Sequence, residues 1–194
     1  MKKLFAAIAI LSISLSASAQ VVKKGTIVVN PTLTNVSYNS MTMTTSIDDD
    51  EDDTFSSSDK GTRMGFQVSG GYGLQDNLML IASLGYQSGS SDGDSINATT
   101  LAAGAKYYFT NNIYATGTLN IANGTLNYAK DETKVSATGL SLGAGYSYFL
   151  SPKVSIDPSI NYSKSLKVTV EDVDGFNIAY SGLTFNVGFT IFLF

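Results

Sequence analysis

The sequence predicts an all-β protein: an eight-stranded antiparallel up-and-down transmembrane β-barrel. Three observations carry this. From Gly25 onward apolar residues recur with a period of two, the spacing of strands with one apolar face. The polar connections between these segments alternate between short and long. The sequence closes on Gly182 to Phe194, GLTFNVGFTIFLF, which is rich in apolar and aromatic residues. Chain ends of soluble domains tend to be polar and frayed. A strand that closes a barrel in a bilayer has its backbone paired on both sides and one face turned to lipid, so it can finish this way.

The first residues read as an export signal. Met1-Lys2-Lys3 is a positive start, Leu4 to Leu15 a short apolar core, and Ala17-Ser18-Ala19 an A-x-A cleavage site. The apolar run is shorter than the roughly 20 residues a spanning helix needs. The expectation is a cleaved signal peptide over 1–19 and a barrel domain over 20–194, exported by a Gram-negative bacterium.

Removing two leader lysines from 12 basic residues leaves 10 against 16 acidic ones, a net charge of −6. That argues against nucleic acid as a partner, since nucleic acid wants a basic face. There is no cysteine, so neither disulfides nor thiolate zinc sites support the fold. There is also no histidine, which removes the usual general base and the usual metal ligand. The expectation is a chain that is not an enzyme, with no catalytic, cofactor or metal residues to assign. Glycine is abundant (18) and proline scarce (3), and no 18-residue apolar run follows the leader. A strand composition fits; a bundle of membrane helices does not.

In order, the first strand is expected over about Thr26 to Val36, with Pro31 as a blemish suited to an edge or bulge. The polar stretch Ser37 to Thr62 reads as a loop. The second strand, Arg63 to Gln75, puts Met64, Phe66, Val68, Tyr72 and Leu74 on one face. The third runs Leu78 to Gln87 and the fourth Ile96 to Phe109. The fifth runs Ile113 to about Asn123 and the sixth Val135 to Leu150. The seventh runs Val154 to about Leu166, and the eighth from Ile178 or Leu183 to Phe194. Asp76-Asn77, Thr110-Asn111-Asn112 and Ser151-Pro152-Lys153 are the short turns. The stretches 37–62, 88–95, 124–134 and 171–177 are the long loops. Short turns on one side and long loops on the other are the habit of bacterial outer-membrane barrels.

Periodicity does not say which face is inside, since a soluble ligand-binding barrel alternates too. Three cues favour the membrane. The polar face is rich in Gly and Ser, which suits a cramped lumen. Aromatics gather near strand ends, as at Tyr107-Tyr108-Phe109 and Tyr146-Ser147-Tyr148-Phe149. Charges are nearly confined to the loops. On the last strand Phe185, Val187, Phe189, Ile191 and Leu193 form the apparent lipid face, and Asn186, Gly188, Thr190, Phe192 and Phe194 the other. An outward terminal aromatic would need a bulge or register change near Ile191, so the register stays open.

With its leader, its strand–turn–strand–loop pattern and its terminal Phe192-Leu193-Phe194, the chain resembles the small outer-membrane β-barrel superfamily. That group includes the OmpX-like and OmpA-barrel proteins and the outer-membrane barrel proteins common in Bacteroidetes. The resemblance implies location in the outer membrane, contact with its lipid and lipopolysaccharide, and no cofactor. It also implies that Phe192 and Phe194 act as an insertion signal for the barrel-assembly machinery. Barrel lipases, acyltransferases and proteases among the relatives use a histidine, which this chain lacks.

Two constellations stand out. Lys106 and Asp157 both fall on the polar face, each four residues from a short turn, on strands that lie across the lumen from each other. They are expected to form a cross-lumen ion pair, with Tyr114 or Asn161 as further partners. The role is structural, with a gate as the alternative. The run Asp48, Asp49, Asp50, Glu51, Asp52, Asp53 lacks the glycine and alternating ligands of an ordered calcium loop, and reads as a solvated acidic loop tip. The expected function is structural, or surface interaction through the loops with a partner the sequence does not name, around a lumen filled by side chains. A narrow porin-like passive pore and a soluble secreted barrel with a hydrophobic ligand are the alternatives.

Overall fold

The computed structural model describes residues 22–45, 53–59, 64–91, 94–128, 131–170 and 176–193. Ten β-segments are found: β1 (Ile27–Thr45), β2 (Asp53–Asp59), β3 (Met64–Gln75), β4 (Leu78–Ser91), β5 (Asp94–Tyr108), β6 (Ile113–Tyr128), β7 (Asp131–Tyr146), β8 (Tyr148–Ser151), β9 (Val154–Val170) and β10 (Phe176–Leu193). Both β2 and β3 pair with β1, at successive heights, and together make one wall strand. Both β7 and β8 pair with β9 and are parted only at Ser147, so they make another. The result is a closed eight-stranded antiparallel barrel. Closure is made by β10 against β1, from Ile27↔Leu193 to Thr45↔Phe176, so the first and last strands of the sheet do not end in an open seam.

The short turns form where their residues allow the backbone to reverse. Asn77, Asn111 and Asn112 all take positive φ, which asparagine tolerates better than most side chains. Thr110–Asn112 forms a single 3-10 turn.

Alternation fixes the two faces. Leu80, Leu84, Leu101, Leu119, Leu142, Phe185 and Leu193 all point outward and are exposed. Gly, Ser, Thr and Asn from the same strands face the lumen. An apolar outer wall of this extent must meet lipid, so a soluble barrel with its apolar face inside is ruled out. The two prolines within strands sit where pairing lapses on one side, each being paired on the other, Pro31 with Val68 and Pro158 with Val187. Pro31 lies in the gap of the β1–β10 ladder between Val29↔Ile191 and Thr32↔Gly188. Pro158 lies in the gap between Gly145↔Ser159 and Tyr148↔Ile156. A residue with no N–H is tolerated where there is no ladder bond to donate.

The long loops of the sequence reading are mostly strand. Ser37–Thr45 continues β1 and Asp53–Asp59 pairs back onto it, so the expected loop over 37–62 is corrected to a long hairpin in its described part. Similarly β4 and β5 stay paired as far as Ser91↔Asp94, and β6 and β7 as far as Tyr128↔Asp131. The reason is physical. A ladder started in the membrane continues upward as long as the backbone can pair, and the apolar alternation that signals strand is needed only where there is lipid. The expected leader, Asp48 to Asp52 and Phe194 fall outside the described residues. Asp53 starts β2.

Candidate functional site

The lumen is built in two layers. The upper one begins at Asp157, on β9 and only 3% exposed. Lys106, on β5 and 8% exposed, reaches across so that its Nζ lies 3.2 Å from Asp157 Oδ2. Ser155 donates to Asp157 Oδ1 at 2.7 Å, and Thr190 donates to Asp157 Oδ2. Behind Thr190 the chain of bonds goes on: Asn30 Nδ2 donates to Thr190 Oγ1 at 2.6 Å, and Thr32 Oγ1 donates to Asn30 Oδ1. The carboxylate thus has donors on both oxygens, drawn from β5, β9 and β10. A buried charge is tolerated on those terms and costs several kcal/mol otherwise.

Lys106 is held on its other sides by aromatic rings. Its Nζ lies 3.7 Å from the centroid of Tyr114 and 4.7 Å from that of Tyr108. A cation over a ring face gains about 2 kcal/mol or more when desolvated. The Tyr114 ring can lie there because Gly145 faces it. A Cβ at 145 would run into the Tyr114 ring and stand 2.7 Å from the Pro158 carbonyl oxygen.

Below the ion pair, at the short-turn end, the lumen becomes apolar. Val22, Val28, Met79, Tyr108, Tyr114 and Phe192 form a buried cluster, with Ile81 and Phe149 packed against it. Met79 is 0%, and Val22 and Phe192 1% exposed. The rings of Phe149 and Phe192 are 5.4 Å apart. Val22 is brought in by the segment before β1, which folds across the mouth. The Asn77 amide donates to the Val22 carbonyl, and Gly25 and Gly73 bond reciprocally to Gly73 and Thr26 carbonyls, each at 2.8 Å.

Above the ion pair lies a cavity of about 340 Å³ lined by hydroxyl and amide side chains, among them Gln67, Ser69, Thr118, Asn120 and Ser163, with Lys106 and Asp157 at its floor. Its wall is tied to itself. Asn120 donates to Ser141 at 2.6 Å, Ser141 and Ser163 share a bond at 2.6 Å, and Thr118 donates to Asn120 at 3.1 Å.

Among the residues marked in the sequence, Lys106, Asp157 and Tyr114 come together, whereas Asn161 lines the cavity above them. Phe192 points into the lumen. β10 keeps one register with β1 from Ile27↔Leu193 to Thr34↔Asn186, and the irregularity in that seam falls between Thr34 and Val36, well away from Ile191. An outward Phe192 is therefore excluded. The sequence reading missed the apolar plug and the part Val22 plays in it. The signal was present: Val28, Met79, Ile81, Tyr108, Tyr114, Phe149 and Phe192 all fall on the polar-face parity beside short turns.

Residues 5–190 match the family model of the outer membrane protein beta-barrel domain. The chain belongs to that family. It is accordingly a protein of the bacterial outer membrane. None of the curated proteins compared with it matches. Among solved structures it is similar to Neisserial surface protein A, with a TM-score of 0.59 at 16% identity over 87% of this chain and 99% of that one. It is similar to OprG from Pseudomonas aeruginosa, with a TM-score of 0.53 at 15% identity over 91% and 99%. It is also similar to Ail of Yersinia pestis in complex with the heparin analogue sucrose octasulfate, with a TM-score of 0.50 at 15% identity over 87% and 99%.

Proposed function

We propose that this barrel is closed to solutes, and that it serves a structural or surface-interaction role through the hairpins that rise above the membrane. The observation that carries the reading is the apolar plug of Val22, Met79, Phe149 and Phe192 beneath the ion pair. A water-filled path needs a polar wall along its whole length; this one ends on side chains that exclude water. The porin-like alternative is disfavoured on that ground. Asp157 is fully engaged by donors, which supports a structural role for it and for Lys106 rather than a gate or a catalytic step.

Several wall strands extend well past the apolar belt as paired hairpins, so a polar surface is presented outside the membrane on a firm base. The acidic run Asp48 to Asp53 ends on the first residue of β2, and its composition supports a solvated acidic role for it. Two of the similar barrels are, by name, a surface protein and an attachment invasion locus protein; a role of that kind suits these hairpins. We keep the terminal Phe192 and Phe194 as the segment by which the assembly machinery recognises the chain before closure buries Phe192.

The test is planar-bilayer recording of the purified barrel. The reading predicts no stable current steps. Steady unitary conductance would overturn it in favour of the narrow pore.

A further inference from the structure

We infer that the outer wall of β7 and β9 carries a binding site for a phosphate of an outer-leaflet glycolipid, held by Lys164 and Lys167. The starting point is where the basic residues stand. Of those whose side chains are described, Lys23, Lys24 and Lys153 lie at the short-turn end and Lys106 is in the lumen. The other three, Lys134, Lys164 and Lys167, all face outward from β7 and β9, beyond the apolar belt. On β9 that belt runs outward through Val154, Ile156, Pro158, Ile160 and Tyr162, and the next outward position is Lys164. Eight residue steps from Val154 to Tyr162 span roughly 27 Å of strand, and tilt reduces this to about the hydrocarbon thickness of an outer-membrane barrel. Lys164 therefore stands at the lipid headgroups.

A break in the ladder makes the patch denser than plain alternation allows. Thr138 pairs with Lys167 but Gly139 with Ser165, so Leu166 is an extra residue in a bulge. Leu166 and Lys167 are consecutive and both exposed. The bulge needs Gly139 opposite, because a Cβ there would stand 2.8 Å from the Lys164 carbonyl oxygen. Bulges re-aim side chains, and this one turns a second ammonium outward beside the first, with Leu166 between them for an acyl chain. Neither Lys164 nor Lys167 pairs with a carboxylate among the described residues.

Next to them, over β4 to β7, is a recess of about 300 Å³ lined by Tyr86, Asn97, Asn123, Lys134 and Ser136. Ser136 pairs with Thr169, one outward position above Lys167. A lysine pair beside a recess of amides and hydroxyls is complementary to a phosphate on a saccharide. The site depends on membrane location and is indifferent to whether the lumen conducts.

The experiment uses the full barrel in detergent micelles, titrated with lipid A and with lipid A stripped of its phosphates. We expect the wild type to prefer the phosphorylated form. We expect K164Q/K167Q to bind it about thirtyfold more weakly, the effect of losing two basic residues at an anionic surface, while shifting between unboiled and boiled samples on SDS gels as the wild type does. A K23Q/K24Q variant, with the same loss of charge at the other end, should bind as the wild type does. Equal affinity for the two lipid forms, or an unchanged K164Q/K167Q, would overturn the inference. So would an equal loss in K23Q/K24Q.

Discussion

The two ends of the lumen are made from the same strands yet obey different rules. At the short-turn end the inward positions are Val28, Met79, Tyr108, Tyr114 and Phe192, all buried in one apolar cluster. A few residues further along, the same parity carries Thr118, Asn120, Ser141 and Ser163, which bond to one another around a cavity. Lys106 and Asp157 lie on the border. The difference shows that a small barrel does not require one kind of interior. It needs one apolar layer to seal it, one satisfied pair of charges where the layer meets water, and beyond that only side chains small enough to fit.

The comparison can be broken most sharply at the border. Asp157→Ala removes the acceptor shared by Lys106, Ser155 and Thr190 and leaves a buried ammonium. A loss of about 3–5 kcal/mol is expected in urea unfolding from lipid vesicles. The pair replacement Lys106→Met with Asp157→Leu should recover most of it, since apolar replacement of both charges is often neutral. Within the plug, Phe192→Ala opens a cavity against Phe149 and should cost about 3–5 kcal/mol by the same measurement. Leu119→Ala on the lipid face should cost markedly less. Gly145→Ala pushes Tyr114 off Lys106, and a loss of about 1–3 kcal/mol is expected from overpacking. Ser163→Ala in the upper layer removes one neutral hydrogen bond beside a cavity and should cost about 1 kcal/mol or less. Were the Ser163 and Phe192 changes equal, the two ends would not differ as described.

Much of the wall was legible in the sequence, because lipid on one side and a cramped lumen on the other impose period two on every spanning segment. That rule placed Leu80, Leu101 and Leu142 outward and put Lys106 and Asp157 on the lumen parity at matching depth. It failed where lipid is absent. Ser37 to Thr45 and Asp53 to Asp59 are mostly Ser, Thr, Asn and Asp, too polar to stand out as strands, yet they pair. It also failed at Val22, since a segment before the first strand has no periodicity to show that it folds inward. The β9 bulge was invisible for a related reason: Ser165-Leu166-Lys167 breaks the pattern by one residue where the pattern is already fading.

The central claim is that the lumen is sealed at the short-turn end and open above the ion pair. The chain has no cysteine, so a single introduced thiol reports its own accessibility. The most direct measurement is labelling of Ser141→Cys and Met79→Cys by a small membrane-impermeant maleimide, added to either side of barrels oriented in vesicles. The account predicts that Ser141→Cys reacts only from the hairpin side and that Met79→Cys reacts from neither. Rapid labelling of Met79→Cys from the short-turn side would contradict it.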